Sequence, residues 1–205
     1  MKEMWDNRYS DTQYAYGTTP NVFFKSMLDQ YQPKGKLLMP AEGEGRNAVY
    51  AAKTGLEVYA FDISVEGQKK AKQLAAQENV TIHYEVGSFF DLSVVEQQYD
   101  AVGLIYAHFP PSILATYYQK VAELLKPNGL VILEGFSTNH LPYRAANPQV
   151  GGPGVAEFLF SEATIQENFP NFETLLMEEV EVELNEGLYH VGTGKVLRFV
   201  GRKPF

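Results

Sequence analysis

Apolar and polar positions along the chain alternate between two rhythms. Short apolar runs of strand character, at residues 36–39, 57–61, 80–86, 99–106 and 130–136, are separated by stretches with helical spacing. Phe23, Met27 and Tyr31 recur every fourth position and share one helix face. Thr19 reads as the cap of that helix, Pro20 as its first residue, and Pro33-Lys34-Gly35 as its end. A second helix is expected over 45–54, closed by Gly55, and a third runs from a Ser64 cap to Gln77. A fourth covers 111–125 and leaves through Lys126-Pro127-Asn128-Gly129. Regular strand-then-helix succession predicts a parallel sheet with helices on both faces.

The rhythm changes after Phe136. Residues 138–154 are rich in Gly, Pro and Asn and read as a functional loop, followed by a short helix over 161–168. Two long strands then follow, near 173–184 and 195–202, joined by Asn185-Glu186-Gly187 and an irregular Gly-rich stretch. That connection leaves no room for a crossover helix, so the pair should be antiparallel. No internal repeat interrupts the chain. One domain is expected over 1–205, made of an N-terminal lid and helix (1–31), a cofactor-binding core (36–136), and a substrate loop with the terminal strand pair (137–205).

Composition narrows the partners. The 205 residues are 45% hydrophobic and 20% charged, ordinary values for a globular chain. No apolar run approaches the roughly 20 residues that span a bilayer. Met1–Tyr16 is polar and aromatic rather than a secretory signal, so a cytoplasmic location and no membrane partner are expected. Without cysteine, disulfides and thiolate metal sites are excluded. A formal net charge of −8 works against binding a phosphate backbone, so a small molecule is expected in place of nucleic acid.

The chemistry concentrates at Ala41-Glu42-Gly43-Glu44-Gly45-Arg46-Asn47, where the first strand turns into a helix. Glycine lets such a turn close tightly and approach a ligand. Asp62, seventeen positions after Gly45, ends the second strand, where a carboxylate can accept hydrogen bonds from both ribose hydroxyls. Together these point to a nucleoside-containing cofactor. Gly43 to Ala48 also has the form G-x-G-x-x-A of NAD-dependent oxidoreductases, which place a pyrophosphate at the helix N-terminus. Glu42 and Glu44 would repel a diphosphate but attract the sulfonium and α-ammonium of S-adenosylmethionine (SAM).

The segments LLMPAEGEGRNAVYAA, VYAFDIS, YDAVGLIYAHFPP, LLKPNGLVILEGF and EGLYHVGTG occur in that order. With them the chain resembles, from Trp5 to Pro204, class I SAM-dependent methyltransferases of the tellurite-resistance and thiopurine-methyltransferase-like group. The resemblance implies a Rossmann-like α/β fold, a seven-stranded, mostly parallel sheet whose last strand is inserted antiparallel. It implies that Gly43 and Gly45, with Glu42 and Asn47, approach the methionine part of SAM. Asp62 would bind the ribose and Ile63 the adenine, bordered by Ser88 and Phe89. Tyr106 and Ala107 would mark where sulfonium and acceptor meet, and Trp5 to Tyr9 would close over both. Three departures stand out: Met39 replaces an acid, Ala41 a glycine and Ser88 an aspartate.

Methyl transfer needs alignment and dryness rather than a metal, and a protic acceptor benefits from a general base. His190, matched by a histidine in tellurite-resistance relatives, and His108, after the fourth strand, are the candidates; otherwise His108 caps a strand end and His190 is an exposed loop residue. His83 and His140 read as structural or solvated. Trp5, Tyr9 and Tyr143 can hold an acceptor or the sulfonium, and Arg46 and Arg144 an anionic acceptor. Glu179, Glu181 and Glu183 alternate with apolar residues and read as the solvated face of a strand, not a metal site. A small-molecule methyl acceptor is expected. An NAD-dependent oxidoreductase and a non-catalytic SAM-binding protein are the alternatives. Oligomeric state is not encoded in any pattern found.

Overall fold

The computed structural model describes all 205 residues. Its seven strands are β1 (Lys36–Pro40), β2 (Glu57–Asp62), β3 (His83–Val86), β4 (Tyr99–Ile105), β5 (Leu125–Phe136), β6 (Glu173–Glu186) and β7 (His190–Arg202). They form one sheet in the order β3-β2-β1-β4-β5-β7-β6. β3 through β5 pair in parallel, and β7 runs antiparallel between β5 and β6. The chain therefore has the Rossmann-like fold with an inserted antiparallel strand.

Seven helices flank the sheet: α1 (Lys2–Tyr9), α2 (Val22–Tyr31), α3 (Arg46–Lys53), α4 (Val65–Gln77), α5 (Pro111–Leu124), α6 (Leu141–Ala146) and α7 (Glu162–Asn168). Strand alternation separates two cores. Leu37 and Met39 face α2, α3 and α4, while Leu38, between them, faces the layer of α5 and α7. Both faces are thus covered, and the strand ends carry the site.

Several boundaries differ from the pattern-based reading for local reasons. α2 starts later than Thr19-Pro20 predicts, because Asn21 is the cap: its side chain accepts from the Phe24 N–H at 2.8 Å. Val80 lies outside β3, since its N–H closes the end of α4 on the Ala75 carbonyl. The polar N-terminal segment forms α1, and the loop of 138–154 contains α6. The terminal strands are longer than expected and form a continuous hairpin. Its tip is tied to the N-terminal segment, Leu188 N–H donating to the Ala15 carbonyl at 2.8 Å.

Candidate active site

A cavity of about 520 Å³ opens at the carboxyl ends of β1, β2 and β4, covered by α1 and by the 144–158 segment. That volume lies in the range of small-molecule sites. Its position, where strand order reverses between β1 and β4, is where α/β sheets bind ligands.

Asp62, at the end of β2, is buried and held by two backbone donors. Gly43 N–H reaches one oxygen at 3.0 Å and Ser64 N–H the other at 2.9 Å. Burial raises its pKa. Each oxygen keeps an acceptor site for a ribose hydroxyl. Gly43 has φ 62°, and a Cβ there would stand 2.6 Å from the Tyr9 hydroxyl. The glycine thus lets α1 lie across the loop. Asp6 on α1 completes the docking by accepting from Ser64 Oγ at 2.6 Å and Val65 N–H at 3.0 Å.

Glu42 turns back onto the start of α3. One oxygen accepts from Asn47 N–H at 2.8 Å and Ala48 N–H at 2.7 Å, leaving the other without a partner. Burial raises this carboxyl to about 7 against the pull of those donors. The arrangement separates the two cofactor readings. A pyrophosphate would need the α3 N–H groups that Glu42 occupies. An ammonium would instead add to the Arg46 charge that already draws on this buried carboxylate. Asp62 and Glu42 therefore fit SAM at its ribose and amino-acid ends.

The other end of the cavity is built on β7. His190 is buried, and its Nδ1–H donates to Glu186 Oε2 at 2.9 Å. The Arg46 guanidinium donates to the same oxygen at 2.9 Å, and the His190 hydrogen bond, followed by the Arg46 charge and hydrogen bond, holds Glu186 down at about 2 against its burial. Burial lowers the pKa of His190. Its ring packs against Tyr16 and Tyr106, with centroids at 4.5 and 4.6 Å. Nε2 has no protein partner, and the residue lines the cavity.

Beneath it lies a buried polar network. Glu134 on β5 accepts from Arg198 Nε at 2.6 Å and Asn21 Nδ2 at 2.6 Å. The Asn21 N–H donates to Asn47 Oδ1 at 2.8 Å. Tyr106 stands above with φ 52°, its hydroxyl sealed from solvent without a hydrogen-bond partner and its pKa raised by burial and by Glu134. Glu134, Asn21 and Glu186 escape a reading by motif. A single carboxylate inside the apolar run Leu130–Phe136 is the signal that marks such a network.

Of the candidate residues, Trp5, Tyr9, Glu42, Arg46, Asn47, Asp62, Ile63, Ser88, Tyr106, Arg144 and His190 line the cavity. Others serve differently. Gly45 (φ 85°) lets α3 pack on α4, since a Cβ would meet Ala71 Cβ at 2.6 Å. Phe89 is a core residue stacked behind Phe61 at 4.9 Å, and Ala107 is likewise buried in the core. The Tyr143 hydroxyl donates to Glu181 at 2.7 Å, outside the cavity. Arg46 is an ion-pair partner of Glu186 rather than a free cation.

His108 borders the cavity, but both its nitrogens are engaged. Nδ1–H donates to the Phe158 carbonyl at 2.7 Å, and Nε2 accepts from Phe136 N–H at 3.2 Å. Burial lowers its pKa to about 4. It holds the 158 segment to β5 as a neutral ring and has no nitrogen free to act as base. His190 is a buried strand residue, not an exposed loop residue. His140 is buried too, with a nitrogen accepting from Lys195 N–H at 3.2 Å. Glu179, Glu181 and Glu183 are partnered by Asn139, Tyr143 and Thr193.

Residues 38–129 match the family model described as a methyltransferase domain. Over that segment the chain is similar to methyltransferase domains. The matched segment spans β1 through the start of β5 and includes both Glu42 and Asp62. No curated protein matches the sequence significantly. Among solved structures, one from work on converting a disulfide bond into a thioacetal group in echinomycin biosynthesis has a TM-score of 0.79 at 16% identity. That alignment covers 100% of this chain and 93% of the other. A SAM-dependent methyltransferase of Methanosarcina mazei has a TM-score of 0.69 at 16% identity, covering 87% and 97%. TehB from Haemophilus influenzae has 0.68 at 17%, covering 98% and 66%. At these identities the neighbours show a shared fold. No helix of the chain is long and apolar enough to cross a membrane.

Proposed function

We propose that this methyltransferase alkylates a small-molecule acceptor and that His190 Nε2 receives the acceptor's proton. The carrying observation is the Glu186–His190 pair, with Nδ1–H donated to a carboxylate and Nε2 open on the cavity. When bound, SAM supplies an electrophilic methyl group whose departing sulfur takes the bonding electron pair. The chain's part is to orient, to exclude water and to accept a proton. Glu186 fixes the tautomer that leaves Nε2 basic, and Arg46 keeps Glu186 ionised. Asp62 and Glu42 hold the ribose and ammonium ends, and Ile63 and Ser88 border the adenine. The TehB likeness supports a place near the tellurite-resistance group, with sulfur, selenium, tellurium, oxygen or nitrogen as acceptor atom.

Calorimetric titration with SAM, S-adenosylhomocysteine and NADH tests the cofactor, with micromolar binding of the two adenosyl ligands alone expected. In an acceptor screen, His190→Asn should keep S-adenosylhomocysteine affinity and slow turnover by about 10²–10⁴-fold, the contribution of a positioned base. Wild-type turnover in that variant would remove His190 from the chemistry. SAM binding without turnover on any acceptor would favour the non-catalytic reading.

A further inference from the structure

The cavity is lined by charges of both signs: Glu42, Asp62 and Glu44, the last paired with Lys70, and Arg8, Arg46 and Arg144. Of the five arginines in the chain, Arg46, Arg198 and Arg202 are paired with carboxylates. Arg8 and Arg144 are not, although the chain as a whole has a net charge of −8. Two uncompensated cations thus face the cavity of an acidic protein.

Each is held in place by neutral groups. The Arg8 guanidinium lies over the Trp5 and Tyr189 rings, 4.9 and 4.5 Å from their centroids, and donates to the Tyr16 hydroxyl at 2.7 Å. Tyr16 in turn packs on His190. Arg144 donates through Nε to the Gly152 carbonyl at 3.0 Å, in the turn that touches His190, and its terminal nitrogens have no partner. Around them the surface is apolar. Met1 and Met4 are exposed at 66% and 48% while lining the cavity, and Phe136, Pro153 and Phe158 complete the wall.

We infer that the methyl acceptor is an amphipathic organic acid, whose carboxylate or comparable oxyanion is bound by Arg8 and Arg144 and whose apolar body lies against Met4, Trp5 and Phe158. This rests on the methyltransferase reading above and names the substrate class of that same site. The anion is a recognition handle, and a separate protic group of the acceptor meets His190. The new bond forms from that group to the methyl carbon, its proton goes to Nε2, and the sulfur–methyl bond breaks with its pair on sulfur. Because Arg8 belongs to α1, binding of the anion also fastens α1 over the cofactor.

Trp5 is the chain's one tryptophan, so its fluorescence reports on the cavity beside Arg8. S-Adenosylhomocysteine binding is measured first; its failure overturns the methyltransferase reading and this inference with it. Protein saturated with S-adenosylhomocysteine is then titrated with phenylacetate and with uncharged phenylacetamide. The acid should bind at least about tenfold more tightly, weakening as salt rises. Arg144→Gln should abolish that preference while phenylacetamide and S-adenosylhomocysteine still bind, and Arg8→Gln should reduce it. Equal affinity for acid and amide, no binding of phenylacetate, or a preference that survives both substitutions would overturn the inference and leave the methyltransferase reading standing.

Discussion

Ala41 has φ 52°, a left-handed conformation that costs a residue with a Cβ about 1–2 kcal/mol. It sits at the end of β1 because the chain must turn there to bring Glu42 under the start of α3. Ala41→Gly should therefore raise stability by about 0.5–1 kcal/mol in urea unfolding, the relieved strain exceeding the added freedom of the unfolded chain. Glu42 makes a different prediction. With its carboxyl raised to about 7, it is protonated in acid and charged above neutrality. An ammonium binds the charged form, so SAM affinity should climb from about pH 5.5 to 7, by up to roughly tenfold per unit. Titration with 5′-methylthioadenosine, which lacks the ammonium, should show no such trend. Asp62 and the acidic loop were legible in sequence because strand-end carboxylates and glycine turns have fixed spacing. The loss of His108 as a base was not, since only the folded chain shows both its nitrogens spent on backbone groups.

At the scale of elements, Glu134 and Arg198 join β5 to β7, and Asn21 draws the start of α2 into the same contact. Glu134 is 2% exposed, so removing its cation leaves an uncompensated charge. Arg198→Met should cost about 3–5 kcal/mol. The double variant Glu134→Gln, Arg198→Met should recover much of that loss, and a double-mutant cycle by denaturant unfolding measures the coupling. Strand-and-helix alternation foretold β1 to β5 and the antiparallel pair, because period-two and period-3.6 patterns report burial directly. It missed α1 because Lys2–Tyr9 has no apolar stripe. That helix is held by Asp6 at the start of α4 and by Tyr9 on Gly43, partners about sixty and thirty-four positions away. The hairpin of β6 and β7 was underestimated because glycines in 192–194 look like a loop although they occupy paired positions.

For the whole molecule, three histidines, the buried His140 and His190 and the half-buried His108, have pKa values lowered by desolvation. Each takes up a proton on unfolding at pH values between its folded and its ordinary value. The unfolded chain then binds more protons, so stability rises with pH through that window and is lost as pH falls. Glu42, raised, acts in the opposite sense and offsets part of it. His108 contributes over the window from about 4 to the ordinary 6.5. The unfolding free energy of His108→Gln, from urea titrations, should follow pH less steeply than wild type, by up to about 1.4 kcal/mol per unit.

The place of β7 also bears on synthesis. It follows β6 in the chain yet lies between β5 and β6, so a ribosome that has delivered β6 has not delivered the strand that attaches it. Until β7 arrives, β5 is the bare margin of an otherwise finished parallel sheet, open to pairing with another nascent chain. Glu134, still without Arg198, places an unneutralised charge in that margin and makes a foreign strand costly to accept. The carboxylate that fastens the completed sheet thus guards it while it is incomplete.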